Sequence, residues 1–456
     1  MSSAMLNPLQ PFFYLLAYLA ILYIRPHEYV PALMNTPILS LLLGTAFLIW
    51  VVRQAKNLEA PQFWLMPVLT LMLMLSVMFS GWLGGGIKVF TDFAPVVMLF
   101  YMVATSVDSL QRLRQIFLVL GVSATVISWH GIDQIARGIG WTGAELSQGT
   151  RITYLGFLND PNDLSMALVM VLPMLLYLAR GQKLLPRVAW LVAAGAVVYA
   201  IYLTNSRGAI LAVGAMLGLY GVLRYGVLRS VIVLPLLMLP ILLLGPSRMS
   251  EMSADEDSAE GRIEAWYEGV QLLIMRPLFG VGKGQFADHH GLTAHNSFVL
   301  AFAELGLIGY FFWLSVIVIS WLMVQRLVLA GADGPSAPAP TTLTPPTVPA
   351  PLRDPDKKPP KPPPTHWDEL QVAGRTLWYG YIGGLVSAFF LSRSYVVILY
   401  LHIALIVAVF QMARKERPDS FPPIPFGPMA GRMAALSLGS VVGLWFMTRV
   451  LLAFTG

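Results

Sequence analysis

The chain has 456 residues, 56% of them hydrophobic and 12% charged. A soluble domain is nearer half apolar and a quarter charged, and the mean hydropathy here is +0.67. Composition therefore excludes a soluble enzyme, a disordered chain and a fibrous one, and leaves a polytopic membrane protein. Cysteine is absent, which removes disulfides, thiolate zinc sites and cysteine nucleophiles. The net charge of +6 is modest, so the placement of charge matters more than its total.

About 20 apolar residues cover the hydrocarbon core. Runs of that kind predict thirteen membrane helices, at 10–25, 36–52, 62–81, 88–106, 113–130, 163–179, 187–204, 208–223, 230–246, 297–325, 374–392, 395–413 and 431–453. The first is not a cleavable signal peptide, because it lacks a positive n-region and Arg25-Pro26-His27 is a poor cleavage context. The last carries Arg432 and Arg449 near its ends. With the N-terminus in the cytoplasm, the cytoplasmic loops receive 19 of the 30 Lys and Arg and the other face 11. That bias favours this orientation.

Three segments lie outside the expected membrane. Two are non-cytoplasmic loops, 131–162 and 247–296. The third, cytoplasmic 331–368, holds 13 of the 33 prolines and reads as an extended linker. A docking site for a partner is the other reading of that linker, and its Lys run at 357–361 suits anionic lipid. Loop 247–296 begins acidic, with Glu251, Asp255, Glu256, Asp257 and Glu260. Ile263, Trp266, Tyr267, Val270 and Ile274 then recur at helical spacing, which predicts an amphipathic helix stopped by Pro277. It is expected on the membrane surface, with Trp266 and Tyr267 at headgroup depth.

Four helices descend from the non-cytoplasmic face. Their starts offer cap-type residues: Asp163 in Asn159-Asp160-Pro161-Asn162-Asp163, Ser206 before Arg207, Asn296 or Ser297 after His295, and Ser394 after Arg393. Unpaired N–H groups and a positive dipole end suit phosphate at each start. Arg207 and Arg393 stand in these turns, and Arg262 and Arg276 in the loop that folds over them. The sum reads as an anion site at membrane depth. Any single arginine there also fits a headgroup anchor. His295, at a helix start, suits a neutral base. His289 and His290 form a metal-type pair without an acidic or Cys partner at ligand spacing. No P-loop, dinucleotide fingerprint or serine nucleophile elbow occurs, which disfavours ATP-driven transport. Chemistry on an already activated, lipid-borne phosphate fits better.

These segments resemble the superfamily of O-antigen ligases and O-antigen polymerases. The resemblance rests on Asn159-Asp160-Pro161-Asn162, on Ser206-Arg207-Gly208-Ala209, on Gly261-Arg262 through Trp266 to Pro277-Leu278-Phe279-Gly280-Val281-Gly282, and on His295-Asn296-Ser297 through Glu304-Leu305-Gly306-Leu307-Ile308-Gly309. It covers roughly 150–325, and the rest by hydropathy alone. It implies an all-α polytopic membrane fold of GT-C type with 12–13 transmembrane helices and a periplasmic loop carrying an amphipathic helix. Residues 1–330 would hold helices 1–10 and the catalytic loop 247–296, residues 331–368 the linker, and 369–456 the C-terminal helices.

The resemblance also implies a multi-pass protein of the bacterial inner membrane with a periplasmic site. The donor would be a glycan on undecaprenyl diphosphate and the acceptor the lipid A core. Membrane lipids would surround the chain; no cofactor, metal or nucleic acid would be needed. Arg207, Arg262 and His295 take the places of the family's essential residues. Supporting candidates are Arg151, Asn159, Asp160, Arg276, Lys283, Asn296, Glu304 and Arg393. Glu304 reads more readily as packed than as facing the donor, and Arg276 as capping the surface helix. Departures are the thirteenth span, where the ligase pattern has twelve, and the Pro-rich insert. Alternatives are a polysaccharide polymerase, a protein O-oligosaccharyltransferase and a non-enzymatic transporter of lipid-linked sugars. A transporter should show repeat symmetry; the polar residues here gather at one face instead.

Overall fold

The computed structural model describes residues 10–243, 259–330 and 365–455. Most of the Pro-rich linker and the acidic stretch at 251–257 lie outside the described residues. Fifteen α-helices are described, and no strand among those residues: α1 Pro11–Ile24, α2 Ile38–Arg53, α3 Gln62–Phe79, α4 Gly85–Ser106, α5 Leu110–Arg137, α6 Pro161–Ala179, α7 Leu184–Leu203, α8 Arg207–Tyr225, α9 Val227–Leu243, α10 Ala259–Met275, α11 Phe286–His290, α12 Ser297–Leu329, α13 His366–Phe389, α14 Val397–Glu416 and α15 Phe426–Thr455.

Every expected span falls on one of these helices. Nine of the described helices, α3 to α8, α12, α14 and α15, are long and apolar enough to cross a membrane. The chain is an all-α polytopic membrane protein. Helices α1 and α2 have 14 and 16 residues, or about 21 and 24 Å at 1.5 Å per residue, short of a core about 30 Å thick. Helix α13 falls outside the nine; it carries Asp368, Glu369 and Arg375.

The bundle is layered around α6 and α14. Most of each is buried (83% and 78% of their apolar windows), against 11% for α15, which rides on the outside. Helix α6 packs against α13, α7 and α5; α14 packs against α4, α13 and α12. Polar contacts gather at the two ends. At one end Arg414 meets Glu59 at 2.7 Å and His366 meets Glu416 at 2.7 Å. At the other, which we call the site end, Arg393 meets Asp163 at 2.5 Å. An alternating up-and-down path puts each of these pairs on one side.

Helix α12 is broken. Gly306 has φ 65° and ψ −174° inside it. From Gly306 to Leu329 the helix is about 36 Å long, enough to cross a membrane alone. The turns before Gly306 are thus more than one crossing needs, where the run 297–325 reads as one continuous helix. The segment after α10 fills the break. Leu307 N–H donates to Pro277 O at 2.8 Å, Val281 N–H to Ala303 O at 3.0 Å and Gly282 N–H to Glu304 O at 3.1 Å.

Helix α10 descends beside these upper turns of α12 and also packs against α15. Ile263, Trp266 and Val270 face inward as their spacing predicts. Two details differ from the surface-helix reading. Ile274 is exposed and Leu273 takes the buried place, because two neighbours draw on two sides of the helix. Trp266 is buried with its ring 5.5 Å from that of Phe389, so it sits inside the bundle and not among headgroups. Tyr267 instead lies under the Arg449 guanidinium at 5.2 Å.

Candidate active site

Three short groups of hydrogen bonds tie the site end together. Arg151, buried in the loop before α6, donates from Nε to Thr204 O at 2.9 Å and from Nη2 to Asn162 Oδ1 at 2.9 Å. It joins the end of α7 to the start of α6. Asp160 caps α6 by accepting from Asn162 N–H at 2.7 Å. The cap is thus Asp160, and Asp163, expected to cap, is free to bind elsewhere: its carboxylate accepts from Arg393 Nε. Arg393 N–H donates to Ser297 Oγ at 2.9 Å, and His295 N–H donates to Ser392 Oγ at 2.7 Å. The start of α12 and the turn before α14 are therefore held edge to edge.

Local backbone explains these positions. Asn296 caps α12 and accepts from Phe298 and Val299 N–H at 2.8 and 3.2 Å. Ser206 precedes α8 but makes no side-chain cap bond. Ser394 is not a cap: it donates from Oγ to Ser297 O at 2.7 Å, and its carbonyl accepts from Trp313 Nε1 at 2.9 Å. Asn205 and His295, just before α8 and α12, have φ 51° and 48°. Left-handed backbone is uncommon outside glycine, and such residues cluster where surrounding structure enforces a functional geometry.

Arg207 and Arg262 reach the same region through packing. Arg207 is exposed at the first position of α8. The next residue, Gly208, stands so close to Phe390 that an added Cβ would lie 2.9 Å from its side chain. Arg262 is half-buried, one turn before Trp266, which stacks edgewise on Phe389. Residues 389–394 thus touch or flank the elements that carry Arg207, Arg262, His295, Asp163 and Arg393. Ser392-Arg393-Ser394-Tyr395 is visible in the sequence; Phe389, Phe390 and the pairing of Asp163 with Arg393 emerge only from the fold. An acid and an arginine, each in a short polar run at the start of an apolar helix, carry the only sequence signal for the pair.

Electrostatics follow the burial. Burial works against the Arg393 charge; the hydrogen bond and charge of Asp163 more than offset it, so its pKa is raised. Asn159 is exposed beside this network.

Three supporting candidates form a separate group at the break in α12. Glu304 is buried and accepts from Gly284 N–H at 2.9 Å. Lys283 donates from its backbone to Ser76 Oγ at 3.1 Å, and its Nζ lies 5.8 Å over the Tyr395 ring. The Arg276 side chain donates to Phe79 O at 3.1 Å at the end of α3, while its backbone N–H closes α10 on Leu272 O at 3.0 Å. Among the described residues no group of three or more His, Asp or Glu is placed to hold a metal ion.

Fold and site together describe an all-α multi-pass membrane protein with arginines and a histidine gathered at one end of the bundle. Residues 189–314 match the family model described as O-antigen ligase. In that segment, which includes Arg207, Arg262 and His295, the chain resembles the O-antigen ligase and polymerase superfamily. Members of that family are glycosyltransferase-like enzymes, and the family implies a lipid-linked glycan in a membrane setting. No curated protein and no solved structure matches the chain.

Proposed function

We propose that the chain is an O-antigen ligase of the bacterial inner membrane, working at the periplasmic face. It transfers a glycan from undecaprenyl diphosphate to the lipid A core, with inversion and without metal or ATP. The observation that carries this reading is the O-antigen ligase match across 189–314, the segment that contains both arginines and the histidine. Breaking the anomeric bond builds negative charge on the diphosphate. Arg207 and Arg262 neutralise that charge; preorganised guanidinium groups of this kind often supply the largest share of catalysis. His295 takes the proton of the acceptor hydroxyl as that oxygen attacks the anomeric carbon. Arg151, Asn159, Asp160, Asn296 and Arg393 support the site from the network around it, and Arg276, Lys283 and Glu304 from the break in α12.

The test is reconstituted transfer. Purified protein is mixed with glycan on undecaprenyl diphosphate, with and without lipid A core, in chelator and without ATP. Glycan on the lipid A core alone is the expected result. Ladders of glycan on undecaprenyl diphosphate, formed without acceptor, would make the protein a polymerase instead.

A further inference from the structure

The Asp163–Arg393 pair spans 230 positions of sequence and lies wholly outside the matched segment. Its two partners are unequal: the Asp163 side chain is 5% exposed and that of Arg393 41%. A buried carboxylate is costly unless a partner satisfies it, whereas a half-exposed arginine needs no buried acid to stay charged. The arrangement therefore serves the arginine's orientation. A guanidinium has five N–H donors. Asp163 takes the Nε edge, and Ser392 O receives Nη1 only at 3.4 Å. The remaining donors have no hydrogen-bond partner among the described residues, and the side chain is partly open to its surroundings. The backbone of Arg393 is fixed as well, through Ser297 Oγ, two residues from His295. Arg393 is thus a cation tied directly to the start of α12.

We propose that Asp163 is a positioning residue. It clasps Arg393 by its Nε edge so that the outer edge grips a phosphate of the diphosphate-bearing substrate, as a third arginine beside Arg207 and Arg262. This rests on the diphosphate-donor reading above. The proposal has a counter-intuitive sign. Removing an acid near an anion site should tighten anion binding by simple charge arithmetic; removing a clasp should loosen it.

The experiment measures binding of inorganic pyrophosphate to the full-length protein in detergent by calorimetry, with melting curves to establish the folded fraction. Wild type binds. Asp163→Asn binds about 10-fold more weakly per folded molecule, since misplacement of a gripping group by about 1 Å carries costs of that order or more. Arg393→Gln is at least as weak, and the double variant is no weaker than Arg393→Gln alone, because Asp163 acts through Arg393. Arg393→Lys, which keeps charge and fold but loses the fork, falls between them. Wild-type or tighter binding by Asp163→Asn overturns the proposal while leaving the donor reading in place; so does a lowered melting temperature with unchanged affinity. If wild type itself fails to bind pyrophosphate, the donor reading falls and the proposal with it.

Discussion

Gly280 and Gly306 each occupy the space that the other's neighbours need. A Cβ on Gly280 would lie 2.3 Å from the carbonyl carbon of Glu304, and one on Gly306 2.4 Å from that of Leu278. Both have φ near 70° (70° and 65°), a region that side chains resist. The two glycine-bearing motifs of the sequence are thus two halves of one backbone joint.

Gly306→Ala and Gly280→Ala should each cost about 1–3 kcal/mol, from overpacking and a strained φ. Melting in detergent measures this. Gly443→Ala, on the exposed side of α15 with nothing within 4 Å, is the control and should stay within about 0.5 kcal/mol.

Glu304 belongs to that joint. Glu304→Gln keeps the carbonyl oxygen that Gly284 N–H needs and should leave melting and transfer close to wild type. Glu304→Ala removes that acceptor and empties a buried position, and should lose about 1–3 kcal/mol. Loss of transfer in Glu304→Gln, with melting unchanged, would give the carboxylate a part in the chemistry.

His295→Ala should lower transfer by about 100- to 10,000-fold, the range for a lost general base, with melting unaffected. Transfer at the wild-type rate would sink the base assignment. His295→Gly separates side chain from backbone: it relieves the left-handed φ, so it should melt no lower than His295→Ala while remaining inactive.

Arg207→Lys should retain binding of an anion in part but transfer poorly, by about 10-fold or more, because a lysine lacks the bidentate fork. Kinetics with varied donor would resolve the loss into kcat and KM; turnover near wild type would argue against phosphate contact.

The helices were readable because each apolar run is about as long as a helix that must cross lipid. The break in α12 was not, since 297–325 is apolar on both sides of Gly306 and only the docked 277–282 segment explains the glycine. The face of α10 was legible from Ile263, Trp266 and Val270, but which end of that face turned inward depended on α15, far away in sequence. At the site, single-residue signals picked out Arg207, Arg393 and His295 through their helix starts. Asp163 was assigned a local cap because local spacing is all a sequence offers; its partner lies across the bundle.

The turn at 389–394 has a consequence for engineering. Exchanging residues 189–314 between relatives would carry over Arg207, Arg262 and His295 but leave behind the turn that Gly208, Trp266 and His295 contact. Phe389, Phe390, Ser392 and Arg393 would come from one parent and the helices they brace from the other. Working chimeras should need three pieces moved together: the 151–163 loop, the matched segment and the 389–394 turn.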